Sequence, residues 1–221
     1  MHLNQTLHPL MPDTLALAPM EQGVVLLVRH SLRQSIPQGS HGLDIPLTPA
    51  GVQLAEEWGK NLNISIGRIF SSPVGRCVQT GEAIARGINL PLDVKIKKWL
   101  GEPGAYVFDT HLASPYFFEH GPIEIVSRQL NGDCIPGMHS IEEGTRKILS
   151  GLFQNHPASG TLDIYISHDS ILGCVIYHLL GYRGITEETW PWMLEGAFFW
   201  KTNAGIGWAW RGATGEIVFQ W

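Results

Sequence analysis

Charge is scarce in this 221-residue chain: Asp, Glu, Lys and Arg together make up 16% of it. The balance is 15 basic against 20 acidic residues, a formal net of -5, and no block of Lys or Arg stands out. Such a chain has no general attraction for nucleic acid or for an anionic membrane, so neither is expected as a partner. Any anion it binds must be held by a few local arginines. Cysteine is scarce too. Cys77, Cys134 and Cys174 are odd in number and widely spaced, and they form no CxxC pair, which argues against a zinc ribbon or a redox pair. Cys77 and Cys174 fall inside helical patterns and read as buried thiols of a reducing compartment. Long apolar runs are missing: the longest, Val24 to Val28, is far too short to span a bilayer. The first 22 residues hold no Lys or Arg and contain Pro9, Pro12 and Pro19, which is not the layout of a secretion signal. The cytoplasm is the expected location. Ten histidines are present without an HxH or HExxH spacing, so no metal site and no cofactor are expected. Internal repeats and low-complexity tracts are also absent.

What is present is apolar material enough for a core, 44% of the chain, in a length that suits one domain with an insertion. Residues 1–22 read as an irregular arm, and residues 23–221 as a single domain. The run VVLLV (24–28) is β-branched, continuous and short, the pattern of a fully buried strand. Thr48-Pro49 is a cap-then-proline helix start, with the helix running to about Leu62. A strand is expected at 68–71, and Ser72-Pro73 repeats the start signal for a helix to about Arg86. Further elements are a strand at 93–97, a short helix at 122–130, a helix at 139–155, a strand at 162–167 and a helix at 170–180. The last 25 residues alternate around glycines like antiparallel strands. This succession predicts an α/β fold, a three-layer α/β/α sandwich on a mostly parallel central sheet. The stretch at about 100–140 reads as a small insertion over the active site.

Three motifs fall just after the C-terminal ends of predicted strands, the edge where open α/β sheets bind ligands. LLVRHSLR (26–33) delivers Arg29 and His30, with Arg33 three residues on. An isolated Arg-His pair is usually a surface feature, but a charge at the end of a buried strand needs a partner. IFSSPVGRCVQTGEAI (69–84) sets Arg76 in the first turn of a helix, where a cation opposes the helix dipole unless an anion binds there too. YISHDSILG (165–173) ends a strand in His168 and Asp169, and Asp169 reads equally as an ordinary helix cap or as a catalytic acid. Two histidines and two or three arginines at strand ends describe a phosphoryl-transfer site. The charge on the transferred group needs several fixed cations, and a neutral imidazole is a competent nucleophile toward phosphorus.

With LTxxG (47–51), SSPxxRxxQT (71–80) and the late histidine in the same order, the chain resembles the histidine phosphatase superfamily, which includes phosphoglycerate mutases and histidine acid phosphatases. The resemblance spans roughly residues 24–210. It implies that His30 becomes the phosphohistidine and that Arg29, Arg76 and His168 complete the phosphate pocket. It implies a further phosphate contact for Arg33, like the extra arginine of the acid-phosphatase branch. The family usually has Gly after the nucleophile, and here Ser31 stands there. Two acids are open. Glu102, in KKWLGEPG, resembles the acid of the mutase branch, and Asp169 resembles the His-Asp pair of the acid-phosphatase branch.

The expected activity is metal-independent hydrolysis of a phosphomonoester, with a phosphorylated small molecule or a phosphoprotein as substrate. A mutase-like phosphotransferase is disfavoured by the lack of a second basic cluster. A non-catalytic phospho-ligand binder on the same fold is disfavoured by the presence of both nucleophile and acids. Tyr106, Phe108, Tyr116, Phe117 and Phe118 read either as packing of the insertion or as an aromatic wall for a leaving group. The tryptophan-rich tail reads as core packing of the terminal strands, with Trp208 and Trp210 on one face.

Overall fold

The computed structural model describes residues 6–37 and 39–220. Its centre is one sheet of seven strands: β1 (Val24–Arg29), β2 (Ser65–Ser71), β3 (Val94–Ile96), β4 (Thr161–Ser167), β5 (Gly196–Lys201), β6 (Gly205–Trp210) and β7 (Ala213–Val218). The order across the sheet is β3-β2-β4-β1-β5-β6-β7. The first four of these pair in parallel, and β5, β6 and β7 continue the sheet antiparallel.

β1 shows why the sheet needs a layer on each face. All six of its residues are buried, and successive side chains point to opposite sides. Val25 and Leu27 pack with the cluster of α5 (Ile141–Phe153) and α6 (Asp169–Leu179), which also holds Val126 and Leu130 of α4 (Thr110–Leu130). Val24, Leu26 and Val28 pack with Ala55 and Trp58 of α2 (Pro49–Lys60) and with Cys77 and Ile84 of α3 (Gly75–Ile88). Each such side chain contributes about 2 kcal/mol when fully withdrawn from water. Trp208 and Trp210 are buried together in the first cluster, as their spacing predicts.

Helix signals in the sequence hold in some places and shift in others. Thr48 caps α2, its hydroxyl accepting from Gly51 N at 3.0 Å. Ser140 caps α5 by accepting from Glu143 N. Ser72 does not cap α3. Ser72 precedes a proline and Val74 is extended, so the helix begins at Gly75 and the Ser72 hydroxyl is free for other work. Asp169 is not the cap of α6 either, since that position belongs to His168.

Two expectations need correction. The arm at 1–22 is not wholly irregular: α1 (Met11–Ala16) lies within it, with Pro12 in its first turn. Met11 and Thr14 are buried, and Thr14 Oγ1 accepts from Gly212 N at 3.0 Å, which ties the arm to the far end of the sheet. Residues 1–5 lie outside the described residues. The helix expected at 122–130 is only the second half of α4. An additional half starts at Thr110, capped by Asp109, and is offset from the second by the non-helical backbone of Gly121 before Pro122. No helix among the described residues is long and apolar enough to cross a membrane.

Candidate active site

Strands β2, β4 and β1 are neighbours, so their C-terminal ends converge, and backbone bonds fix the exits. His30 N donates to Ser167 O at 3.0 Å, and Ser72 N donates to Ile166 O at 2.9 Å. Arg29 N donates to Glu195 O at 2.9 Å. The three sequence motifs are therefore brought to one place, beside a cavity of about 590 Å³ lined by His30, Arg33, Arg76, Glu102, His168 and Asp169 among others.

His30 is 1% exposed. Its Nδ1 lies 2.8 Å from Ser31 O and must carry the proton that this bond needs. Nε2 then holds the lone pair, and it accepts from Arg76 Nε at 3.0 Å. Burial, then the charges of Arg29 and Arg76 and the proximity of His168, hold its proton affinity well below the ordinary histidine value, against the Ser31 carbonyl bond. His30 is a neutral ring with its free nitrogen turned toward a cation.

Ser31 is where Gly was expected from the resemblance, and its side chain stays out of the cavity. Ser31 Oγ donates to Gly51 O at 2.7 Å, and Ser31 N donates to Thr80 Oγ1 at 3.0 Å. This explains the LTxxG segment. A Cβ on Gly51 would stand 2.2 Å from Leu32 O, so only glycine lets α2 close against the nucleophile loop.

Arg76 is the hub. Besides His30 it reaches Gly42 O (2.6 Å, NH1) and His168 Nδ1 (3.3 Å, NH2). His168 Nε2 in turn donates to Ser72 Oγ at 3.0 Å, so His168 is also neutral. Burial and the neighbouring Arg76 lower its proton affinity, against the opposing effect of Asp169. Gly101 closes the other side of this ring: a Cβ there would meet His168 Cδ2 and Nε2 at 2.5 Å.

Arg29 is 2% exposed and does not line the cavity. It lies behind Asp169, with NH2 2.5 Å from Asp169 Oδ2 and NH1 donating to Pro191 O at 2.5 Å. Asp169 Oδ2 also accepts from Trp190 Nε1 at 3.2 Å. Burial would raise the Asp169 carboxyl, but the charges of Arg29 and Arg33 and the proximity of His168 outweigh it and hold it below its ordinary value. Arg33 is lowered to about 10, by burial first, with Arg29 and Arg76 adding to it and Asp169 opposing. The Nε atoms of Arg29 and Arg33 are buried without a hydrogen-bond partner. Glu102 stands apart from this network. It is exposed at the cavity wall with φ +65, and its carboxyl makes no hydrogen bond or ion pair among the described residues.

Three guanidiniums against the one Asp169 carboxylate leave two positive charges in excess beside neutral histidines. A dianion with several acceptor oxygens in the cavity would balance them. No group of three or more His, Cys, Asp or Glu side chains among the described residues is arranged to hold a metal ion. Sequence reasoning found the charged residues and missed their supports. Ser72 was hidden behind a helix-start signal, Thr80 stood in the SSPxxRxxQT motif without a role of its own, and nothing local marks Gly101 or the Trp190 indole as site residues.

The chain is 34% identical over 100 residues to ecdysteroid-phosphate phosphatase of Bombyx mori, an alignment that spans 43% of this chain and only 14% of that protein's length. Phosphoserine phosphatase from Entamoeba histolytica, solved with phosphoserine, superposes with a TM-score of 0.56 at 22% identity, covering 83% of this chain and 93% of that one. A mycobacterial glucosyl-3-phosphoglycerate phosphatase, solved with inorganic phosphate, superposes with a TM-score of 0.57 at 15% identity, covering 86% of this chain and 97% of that one. These superpositions show a shared fold. The family model of the histidine phosphatase superfamily, branch 1, matches residues 25–192, and the chain belongs to that superfamily.

Proposed function

We propose that this protein hydrolyses phosphomonoesters through a phosphohistidine on His30. One observation carries the reading: His30 is held as a neutral ring whose Nδ1–H donates to the Ser31 carbonyl, with its Nε2 lone pair inside a cluster of cations. A substrate phosphate draws the Arg76 guanidinium onto its oxygens, which frees Nε2 to attack phosphorus. Arg33 and His168 contact the same oxygens, and Arg29 contributes positive potential from behind Asp169. The arriving dianion favours protonation of His168 Nδ1, turning that atom into a donor.

In the first step the Nε2–P bond forms and the bond from phosphorus to the leaving oxygen breaks. Glu102 gives that oxygen its proton. In the second step water attacks phosphorus, Glu102 takes a proton from it, and the P–N bond breaks to release inorganic phosphate. Glu102 fits this double role better than Asp169, which is committed to Arg29 and Trp190 and holds its charge too firmly to lend a proton. The relatives named above are phosphatases by name, acting on ecdysteroid phosphate, phosphoserine and glucosyl-3-phosphoglycerate, and they support the reaction class. The test is turnover of phenyl phosphate with chelator present. Wild type is expected to be active, His30→Ala inactive, and Glu102→Gln slowed about 10²-fold or more. Full activity in His30→Ala contradicts the proposal.

A further inference from the structure

We propose that the site takes small phosphomonoesters whose leaving group is bulky, apolar and uncharged; this rests on the hydrolase reading above and specifies its substrate. The cavity beside His30 is far larger than a phosphate needs, about 590 Å³. Beyond the phosphate end, its wall is built from Leu43, Phe117, Phe118, Ile125, Met138 and Ile171. The kink at Gly121 gives α4 two separate faces, so that Phe117 and Phe118 from its first half and Ile125 from its second line one space.

Two polar groups in that wall, Gln129 and Tyr106, are already committed to the protein. Gln129 donates to His139 O at 2.9 Å and accepts from Cys174 Sγ at 3.3 Å. Tyr106 OH is paired with Thr145 Oγ1 at 2.8 Å. They close the wall without offering a new partner to a ligand. Among the described residues no lysine lines the cavity, and its only arginines are Arg33 and Arg76 at the phosphate end. Its two acidic residues, Glu102 and Asp169, offer an anionic leaving group no counter-charge. A carboxylate on the alcohol, or a second phosphate, would be desolvated beside apolar side chains with no further lysine or arginine of the lining to pair it. An apolar ring system removes that same surface from water at a gain.

The cavity also has a partial roof. His41, from the loop after the nucleophile, packs on Phe118 with ring centroids 4.0 Å apart, joining the two walls across the space. That contact admits a compact molecule more readily than a phosphorylated loop of another protein.

The test compares 2-naphthyl phosphate with phenyl phosphate, two substrates of closely similar leaving-group acidity, and adds phosphoserine and a phosphotyrosine peptide. The expected kcat/KM for 2-naphthyl phosphate is at least tenfold above that for phenyl phosphate, with phosphoserine lowest and the peptide below both aryl esters. Ser114→Trp fills the cavity from a half-buried wall position on the first half of α4, which carries none of the phosphate-binding residues. It should bring the naphthyl-to-phenyl ratio to about one while phenyl phosphate turnover stays within about threefold. Thr110→Trp, at an exposed position on the same wall, serves where Ser114→Trp does not fold. A wild-type ratio near one, or phosphoserine or the peptide ahead of 2-naphthyl phosphate, overturns the substrate class and leaves the hydrolase reading standing. No turnover of any ester by wild type removes the hydrolase reading itself.

Discussion

Gly101→Ala should cripple the site through a single methyl group. The new Cβ would stand 2.5 Å from both His168 Cδ2 and Nε2 and 2.7 Å from Ser72 Oγ, where ordinary contact begins near 3.4 Å. The ring therefore has to move by about 1 Å. His168 cannot take up that shift freely, because its two nitrogens are fixed by Ser72 and by Arg76, and Arg76 is fixed to His30. A misplacement of about 1 Å in a catalytic constellation can cost about 10²-fold, or about 2.7 kcal/mol of transition-state stabilisation. Gly101 has φ +148, so alanine there adds backbone strain of about 1–3 kcal/mol and lowers Tm by several degrees. The assay is kcat/KM on phenyl phosphate at a temperature where both proteins are folded, with Tm measured alongside. Gly75→Ala is the control. Gly75 neighbours Arg76, but its Cβ would meet nothing within 4 Å and its φ is not in the left-handed region, so activity should stay within about twofold and stability should hold or rise by up to about 1 kcal/mol. Unchanged activity in Gly101→Ala, or equal losses in both variants, refutes the idea that the Gly101 backbone sets the His168 position.

Asp169→Asn should destabilise the fold by about 3 kcal/mol, because Arg29 would keep its burial and lose its counter-charge; urea unfolding with an unchanged m-value checks this, and a loss below about 1 kcal/mol contradicts the pairing. Stability should also fall as pH drops below 6.5. His30 and His168 resist protonation when folded while the unfolded chain takes up protons there, so each steepens the slope by up to about 1.4 kcal/mol per pH unit. The sign follows from folded-state values lying below the unfolded one: the unfolded state binds more protons through the window beneath pH 6.5. His30→Gln should flatten the slope between pH 6.5 and 5 by up to that amount, and an identical slope in the variant would show that His30 titrates normally.

The chemistry was more legible than its scaffolding. Arg29, His30, Arg76 and His168 could be placed together because each follows a strand end, and the βα alternation puts those ends on one edge of a sheet. The parallel core and the terminal antiparallel strands followed from the difference between continuous and alternating apolar runs. What escaped depended on distance or on backbone geometry. Pro73 made Ser72 look like a cap, but the helix begins at Gly75 and the Ser72 hydroxyl pairs with His168, which is 96 residues away in sequence. Pro115 and the Gly121-Pro122 break concealed the first half of α4, and with it one wall of the cavity. Asp169 carried two local readings, and its contacts with Arg29 and Trp190, invisible in the sequence, are what favour a positioning carboxylate in the proposed mechanism.

The central claim is a covalent bond from His30 to phosphorus, and the most direct measurement is to trap it. Wild type mixed with 2-naphthyl phosphate and quenched in strong base within milliseconds should yield a peptide containing His30 that is heavier by one phosphoryl group, with the label stable to base and lost in acid. His30→Ala should yield no modified peptide. A phosphoryl group found on another residue, or full wild-type turnover with none trapped anywhere under conditions where the first step outruns the second, would contradict the account.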